Sequence, residues 1–448
     1  MRNAIFVVPP AVGHLNPIIG IARLLENSGI NVYVVSRKIF KNVVESRGLK
    51  FIENNYIESI SITDIGIGSI GKLKLFLKNA ANFLSNNNKI QFELEVKEFQ
   101  HTIKQIEPEY VFIDAQLPAL FIVIGHLPIK LISIDTMLST KKGRYIPPLN
   151  CFYIPNEDWI SRFNVSCLWL VNRIKKNITY FRDYIIHLAN DKRSLLNEWV
   201  KWQDKKLRLQ YDFDRSFNVG IEGIRELVVY PKELDYPFQP VFSNRFHVGQ
   251  FFNYPSTALQ EPFYSLITNT PKNENSKFIY CSFGTLSQVH NFNSIDFFRK
   301  LILLMVEKKN WTLCLSCGSF FDALAEEVLP SNVNIFRTVP QLELLPFCDL
   351  FISHAGPNSI MESIVCETPL LVYPLNSRWD HEGDAARVVY HNLGLRGNLS
   401  DSSDKIDHDI NTVLEDRLYK DAVKEMNKKI KATRSSDASL LKFLAFTG

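Results

Sequence analysis

A chain of 448 residues is too long for one ordinary hydrophobic core and suggests two domains. Its 46% hydrophobic and 22% charged residues are those of a globular protein, which excludes a disordered or low-complexity chain. The net charge of +4 comes with no recognised nucleic-acid motif, so nucleic acid is not the expected partner.

Ala4 to Val8 reads as a buried strand, Pro9 to Pro17 as a loop, Ile18 to Asn27 as a helix ending at Gly29, and Asn31 to Ser36 as a second strand. This is the start of a βαβ unit, in which ligands sit at the carboxyl ends of the strands. The opening apolar run is shorter than a signal-peptide core and no cleavage pattern follows, so the expectation is a cytoplasmic protein. Ile67 to Gln105 is helical in pattern, and strands at Tyr110 to Asp114 and Lys130 to Ile134 flank a helical segment from Leu117. The longest apolar stretch, Leu117 to Ile129, is broken by Pro118, His126 and Pro128 and falls short of the roughly 20 residues a spanning helix needs.

Charge is unevenly spread. Residues 1–235 hold 31 Lys and Arg against 24 Asp and Glu, while 236–448 hold 20 against 23. The excess gathers in Trp159 to Gln210, a helical stretch with 11 basic and 4 acidic residues and the tryptophans Trp159, Trp169, Trp199 and Trp202. A solvated basic face is the plainer reading of it, and docking on an anionic membrane surface, peripheral to the inner membrane face, is the alternative.

A polar, proline-containing stretch places the interdomain linker at 241–276, after a first domain of 1–240. Lys277 to Cys281 begins a second sheet whose strands at Trp311, Val333, Leu350 and Leu370 alternate with helices over 277–430, and 431–448 forms a last helix. The seven cysteines, Cys151 to Cys366, show no disulfide framework, and the lone Cys314-Leu315-Ser316-Cys317 lies in a strand-like run where core packing is the better reading than zinc or redox chemistry.

The most informative stretch is 337–388. Asp349 to Ser353 is an apolar strand, His354-Ala355-Gly356-Pro357 a turn, and a helical pattern starts at Asn358. Gly356 suits an N-cap and Pro357 the first helical position, which leaves backbone N–H groups free to receive a phosphate. Glu362 lies one turn beyond Asn358, within reach of hydroxyls attached to that phosphate.

Pro340, Gln341, His354, Gly356, Asn358, Ser359, Glu362, Pro369 and Asp380 form an ordered series that resembles the donor signature of the nucleotide-sugar-dependent glycosyltransferases, the UDP-glycosyltransferase superfamily (family 1, bacterial type). The resemblance implies an α/β chain of GT-B architecture, two Rossmann-like doubly wound domains facing a central cleft, with the last helix crossing back to the first domain. It implies that His354, Gly356, Asn358 and Ser359 hold the diphosphate, Glu362 the ribose, Val339 and Gln341 the base, and Asp380 with His381 the sugar hydroxyls. Ser282, Gly284 and Thr285 resemble the family's S-x-G-[ST] turn, which approaches the diphosphate. His14 matches the family's general base, and Asp114 its partner. Four positions depart from the pattern: Thr338 stands in place of an aromatic that stacks on uracil, Pro357 in place of an aromatic, Glu367-Thr368 in place of Gly-Val, and His381 in place of Gln.

The expected function is inverting transfer of a hexose from a UDP-sugar to a hydroxyl of an apolar small molecule or lipid. No cofactor beyond the nucleotide-sugar co-substrate and no metal are expected, since no Asp/His cluster has ligand spacing. The rivals are a nucleotide-sugar epimerase of related fold and a non-catalytic nucleotide-sugar-binding protein. The sequence leaves open the acceptor, the hexose, UDP against dTDP, and the oligomeric state.

Overall fold

The structure, a computed structural model, describes residues 2–55, 87–186, 195–196, 211–217, 220–238, 242–249, 259–270, 273, 275–284, 294–375, 379–433 and 437–445. Parts of the expected helical segments, 67–86 and most of 187–210 with Trp199 and Trp202, lie outside these residues, as does Thr285.

Two parallel sheets carry the chain. The first has seven strands in the order β3-β2-β1-β4-β5-β8-β9: β1 Arg2–Val7, β2 Ile30–Ser36, β3 Lys50–Glu53, β4 Tyr110–Asp114, β5 Lys130–Asp135, β8 Arg225–Val228 and β9 Arg245–His247. A two-stranded ribbon, β6 Tyr211–Asp212 with β7 Gly220–Ile221, lies beside it. The second sheet orders six strands as β12-β11-β10-β13-β14-β15: β10 Lys277–Ser282, β11 Trp311–Ser316, β12 Val333–Phe336, β13 Leu350–Ser353, β14 Leu370–Val372 and β15 Gly394–Arg396. Helices cover both faces of such sheets, so their strands read as unbroken apolar runs rather than alternating ones. Ala4–Val7 and Leu350–Ser353 are accordingly buried throughout. Register Phe6↔Phe112 stacks those two rings at 4.5 Å across β1 and β4.

Both sheets reverse direction beside their first strand, between β1 and β4 and between β10 and β13. Crevices of this kind open at the strands' carboxyl ends and are where open α/β sheets take ligands.

Two boundaries differ from expectation. The helix expected from Ile18 begins at Val12 and takes Pro17 into its interior. Pro17 has no N–H to offer the carbonyl four residues back, so Gly13 O is released from the helical ladder. It accepts instead from Asn358 Nδ2 of the second half, at 3.0 Å. Strand β9, at 245–247, belongs to the first sheet although it falls within the stretch 241–276 expected as linker, which also contains the helix Phe263–Asn269. The final helix, Asp437–Ala445, lies on the first domain, where Phe443 O accepts from Arg225 Nη1 at 2.5 Å and its ring stacks on Phe246 at 5.0 Å.

Beneath the cleft the halves are joined by buried contacts. Arg387 Nε donates to Asp235 Oδ1 at 2.8 Å, and Gly383 N donates to Leu149 O at 2.9 Å. A Cβ on Gly383 would come within 2.2 Å of Leu149 O, so only glycine permits this approach. One apolar core runs from Phe6 and Leu15 through Phe351 and Ile360 to Leu440 and Leu444.

Candidate active site

At the first sheet's switch point, His14 sits in the opening turn of its helix and Asp114 at the end of β4, wholly buried. His14 Nδ1 lies 2.8 Å from Asp114 Oδ2. Thr136, just past β5, donates to the same Oδ2 at 3.0 Å and lies 2.7 Å from His14 Nδ1. A carboxylate accepting from both groups fixes the tautomer: Nδ1 carries the proton and Nε2 is the basic nitrogen. Burial would lower the His14 pKa, but the charge and hydrogen bond of Asp114, with the charges of Asp380 and Asp135, hold it above the ordinary imidazole value.

The second switch point lies between the turn after β10 and the turn after β13. Ser282 ends β10 and Gly284 comes from the turn after it, while His354 and Gly356 come from the second turn. The His354 ring lies between the two glycines: a Cβ on Gly284 would meet Cε1 at 2.7 Å, and one on Gly356 would meet Nε2 at 2.5 Å. Ala355 between them is fully buried at φ 68°, a left-handed conformation that costs a non-glycine residue roughly 1–2 kcal/mol. Such strain persists where surrounding structure imposes it, commonly at functional turns. Burial pushes the His354 imidazole down to about 4, against a hydrogen bond with the Ser282 backbone, so the ring is neutral.

Gly356 caps the helix Pro357–Val365 from an extended conformation, with Pro357 in its first turn, as the sequence implies. The Asn358 side chain turns to the first domain. Besides donating to Gly13 O, it accepts from Tyr230 Oη through Oδ1 at 2.7 Å, so both ends of its amide hold the halves together in this structure. Its backbone and that of Ser359 remain at the helix N-terminus, where the macrodipole favours an anion.

Glu362 is buried, and Gln341 Nε2 donates to its Oε2 at 2.5 Å. Gln341 also reaches Ser359 Oγ at 3.5 Å and accepts from Tyr280 Oη at 3.3 Å. Three residues assigned separately from the sequence, Gln341, Ser359 and Glu362, therefore form one network. Burial pushes the Glu362 carboxyl up to about 7, the Gln341 hydrogen bond opposing. Val339 packs half-buried against the apolar core.

Asp380 immediately precedes the helix His381–Tyr390, its side chain making no cap hydrogen bond. Burial pushes its carboxyl up to about 6, against its own backbone hydrogen bond and the charge of His14. His381 is buried with its ring 4.8 Å from that of His354 and 6.1 Å from Trp379. Burial, and then His354, keep it well below the ordinary imidazole value.

A cavity opens beside Asp114 and Thr136 in the first domain, with Phe121, Met137 and Phe217 as apolar wall and Asp135 and Arg215 as polar wall. Thr136 and Tyr230 were not singled out from the sequence. Their only local signal is that each follows a strand whose carboxyl end enters the crevice.

The model of the family described as "Erythromycin biosynthesis protein CIII-like, C-terminal domain" matches residues 322–439. Over 158 residues, 35% of this chain, the sequence is 32% identical to the NDP-glycosyltransferase YjiC of Bacillus subtilis, and this match spans 39% of that protein's length. It is 24% identical to the uncharacterized UDP-glucosyltransferase YdhE of Bacillus subtilis over 441 residues, covering 96% of this chain and 95% of the relative. The solved structure described as the glycotransferase of kitacinnamycin superposes with a TM-score of 0.68 at 17% identity, covering 99% of this chain and 98% of that one, a likeness of fold.

Proposed function

We propose that this chain, a family 1 glycosyltransferase of GT-B fold, moves a hexose from UDP-glucose or UDP-galactose to a hydroxyl of an apolar small molecule or lipid, with inversion. The observation that carries this reading is the His14–Asp114 pair, held at 2.8 Å on the cleft side of the first domain. An alcohol is a poor nucleophile at neutral pH, and a positioned imidazole supplies what it lacks. Nε2 of His14 takes the hydroxyl proton while Asp114 stabilises the imidazolium. The acceptor oxygen attacks the anomeric carbon as the bond to the diphosphate breaks. The nucleoside diphosphate leaves with its electron pair, and the N-terminus of Pro357–Val365 meets the added charge. No metal is needed for such a step. Glu362 and Gln341 hold ribose and base, and the apolar wall of the cavity beside Asp114 suits an apolar acceptor body.

Mass spectrometry of products from UDP-glucose, UDP-galactose and dTDP-glucose with lipophilic alcohols and phenols tests the reading. An acceptor heavier by one hexose residue supports it. An isomerised nucleotide sugar with no glycoside would support the epimerase reading instead, and a bound but unaltered donor would support a binding protein.

The acid limb of kcat/KM should lie above the ordinary imidazole pKa of about 6.5, because His14 acts in its neutral form and Asp114 favours the charged one. Asp114→Asn should move that limb to lower pH. A limb that stays in place in this variant would detach it from His14.

Donor choice should run through Asp380 and His381, since a site built to hydrogen-bond particular hydroxyls discriminates against isomers that misplace them. In some plant members of the resembled family, His at this position accompanies galactose. His381→Gln is expected to change the ratio of galactose to glucose transfer by about tenfold. Equal use of both sugars by wild type and variant would remove His381 from donor selection.

A further inference from the structure

The helix Trp159–Ile186 is 28 residues long, about 42 Å, and among the described residues its buried positions lie along one side. That side is Ser161, Val165, Trp169 and Asn172, all buried. Trp169 Nε1 donates to Ile146 O at 2.7 Å and Asn172 Nδ2 to Ser216 O at 3.0 Å. The opposite side is apolar and faces outward: Trp159, Phe163, Leu170, Ile174, Ile178 and Phe181 are 77%, 64%, 59%, 48%, 62% and 67% exposed. At about 100° per residue these six fall within roughly 100° of arc, so they form one continuous stripe along the helix. An ordinary surface helix points such a stripe inward.

Cations border the stripe on both sides. Arg162 and Arg173 lie along one edge and Lys175 along the other, and all three are exposed. Arg173 pairs with Asp214 at 3.0 Å, and Lys142 approaches the same carboxylate at 3.9 Å, so this edge remains net positive. Asp183 is the one acidic residue in the helix. A second copy of the chain packed stripe to stripe would bring like charges together, which costs free energy. A surface that is apolar within and negative at its rim matches both features, and that is an anionic bilayer. Among the described residues no helix is long and apolar enough to cross a membrane.

We propose that Trp159–Ile186 lies in the plane of an anionic membrane surface, its apolar stripe among the acyl chains and Arg162, Arg173 and Lys175 at the headgroups. The helix packs on Ser216, between Arg215 and Phe217 of the cavity beside Asp114, so docking would hold that cavity next to lipid. The proposal does not depend on the reaction catalysed.

Sedimentation of the full chain with phosphatidylcholine vesicles, with and without phosphatidylglycerol, tests it. The expected result is at least about tenfold stronger partition onto the anionic vesicles at low salt, weakening as salt rises. Phe163→Glu with Phe181→Glu should lower that partition by about tenfold or more, and Arg162→Glu with Lys175→Glu should abolish the preference for anionic lipid. Both double variants alter exposed side chains only, so thermal melting and UDP affinity should match wild type. Absence of binding to anionic vesicles at low salt would overturn the proposal. So would partition unaffected by Phe163→Glu with Phe181→Glu, or a dimer in light scattering that these substitutions dissociate while vesicles bind nothing.

Discussion

His14→Ala is expected to lower transfer to an alkyl alcohol by about 10²–10⁴-fold, the usual worth of a positioned general base, while UDP affinity stays within error. The separation follows from where the groups lie. His14 belongs to the first sheet's switch point, whereas His354, Ser359, Gln341 and Glu362 belong to the second. The contact that joins the two, Asn358 to Gly13, uses the backbone carbonyl of Gly13 and survives loss of the neighbouring imidazole. Asp114→Asn should cost less, because it leaves the base in place and removes only the charge that orients the ring and stabilises imidazolium. Thr136 would still contact the ring nitrogen. In the double variant the two effects should be strongly non-additive, since without the imidazole the carboxylate has nothing to orient. A phenolic acceptor, whose hydroxyl ionises more readily, should depend less on His14. Wild-type transfer rates to an alkyl alcohol in His14→Ala would place the base elsewhere.

Glu362→Ala is expected to weaken UDP binding by roughly 10–150-fold, as two ribose hydroxyls lose a charged acceptor contributing about 1.5–3 kcal/mol. Calorimetric titration with UDP measures this directly, and unchanged affinity would remove Glu362 from the ribose site. The carboxyl, pushed up to about 7 in the free protein, holds a proton for part of the time at neutral pH. Hydroxyls that donate to it favour the ionised form, so UDP binding near pH 7 should release protons and weaken as pH falls below 7. The measured heat should therefore change with the ionisation enthalpy of the buffer, and this dependence should vanish in Glu362→Ala.

Much of the second half was legible because its punctuation is local. Gly356 and Pro357 mark the helix start, and the apolar run before them can only be a strand of that length. The opening of the first helix was not, because its cause is distant. Pro17 reads as a loop residue, and the structure accommodates it in a helix by giving the freed Gly13 carbonyl a partner 345 residues away. The same contact explains why Asn358, read from its position as a diphosphate ligand, directs its side chain to the other domain. The outward apolar stripe of Trp159–Ile186 was equally hidden: periodicity identifies a face but does not say which face the body of the protein covers. The buried Ser161, Val165, Trp169 and Asn172, the last two bonded to Ile146 O and Ser216 O, settle that question.

The anomeric configuration of the product tests the central claim most directly, because attack by a hydroxyl activated at His14 on a donor held in the second domain is a single displacement. Proton nuclear magnetic resonance of the glycoside formed from an α-linked UDP-hexose should show the β anomer from the first turnover. An α-glycoside would require a nucleophile that this account does not contain, and would contradict it.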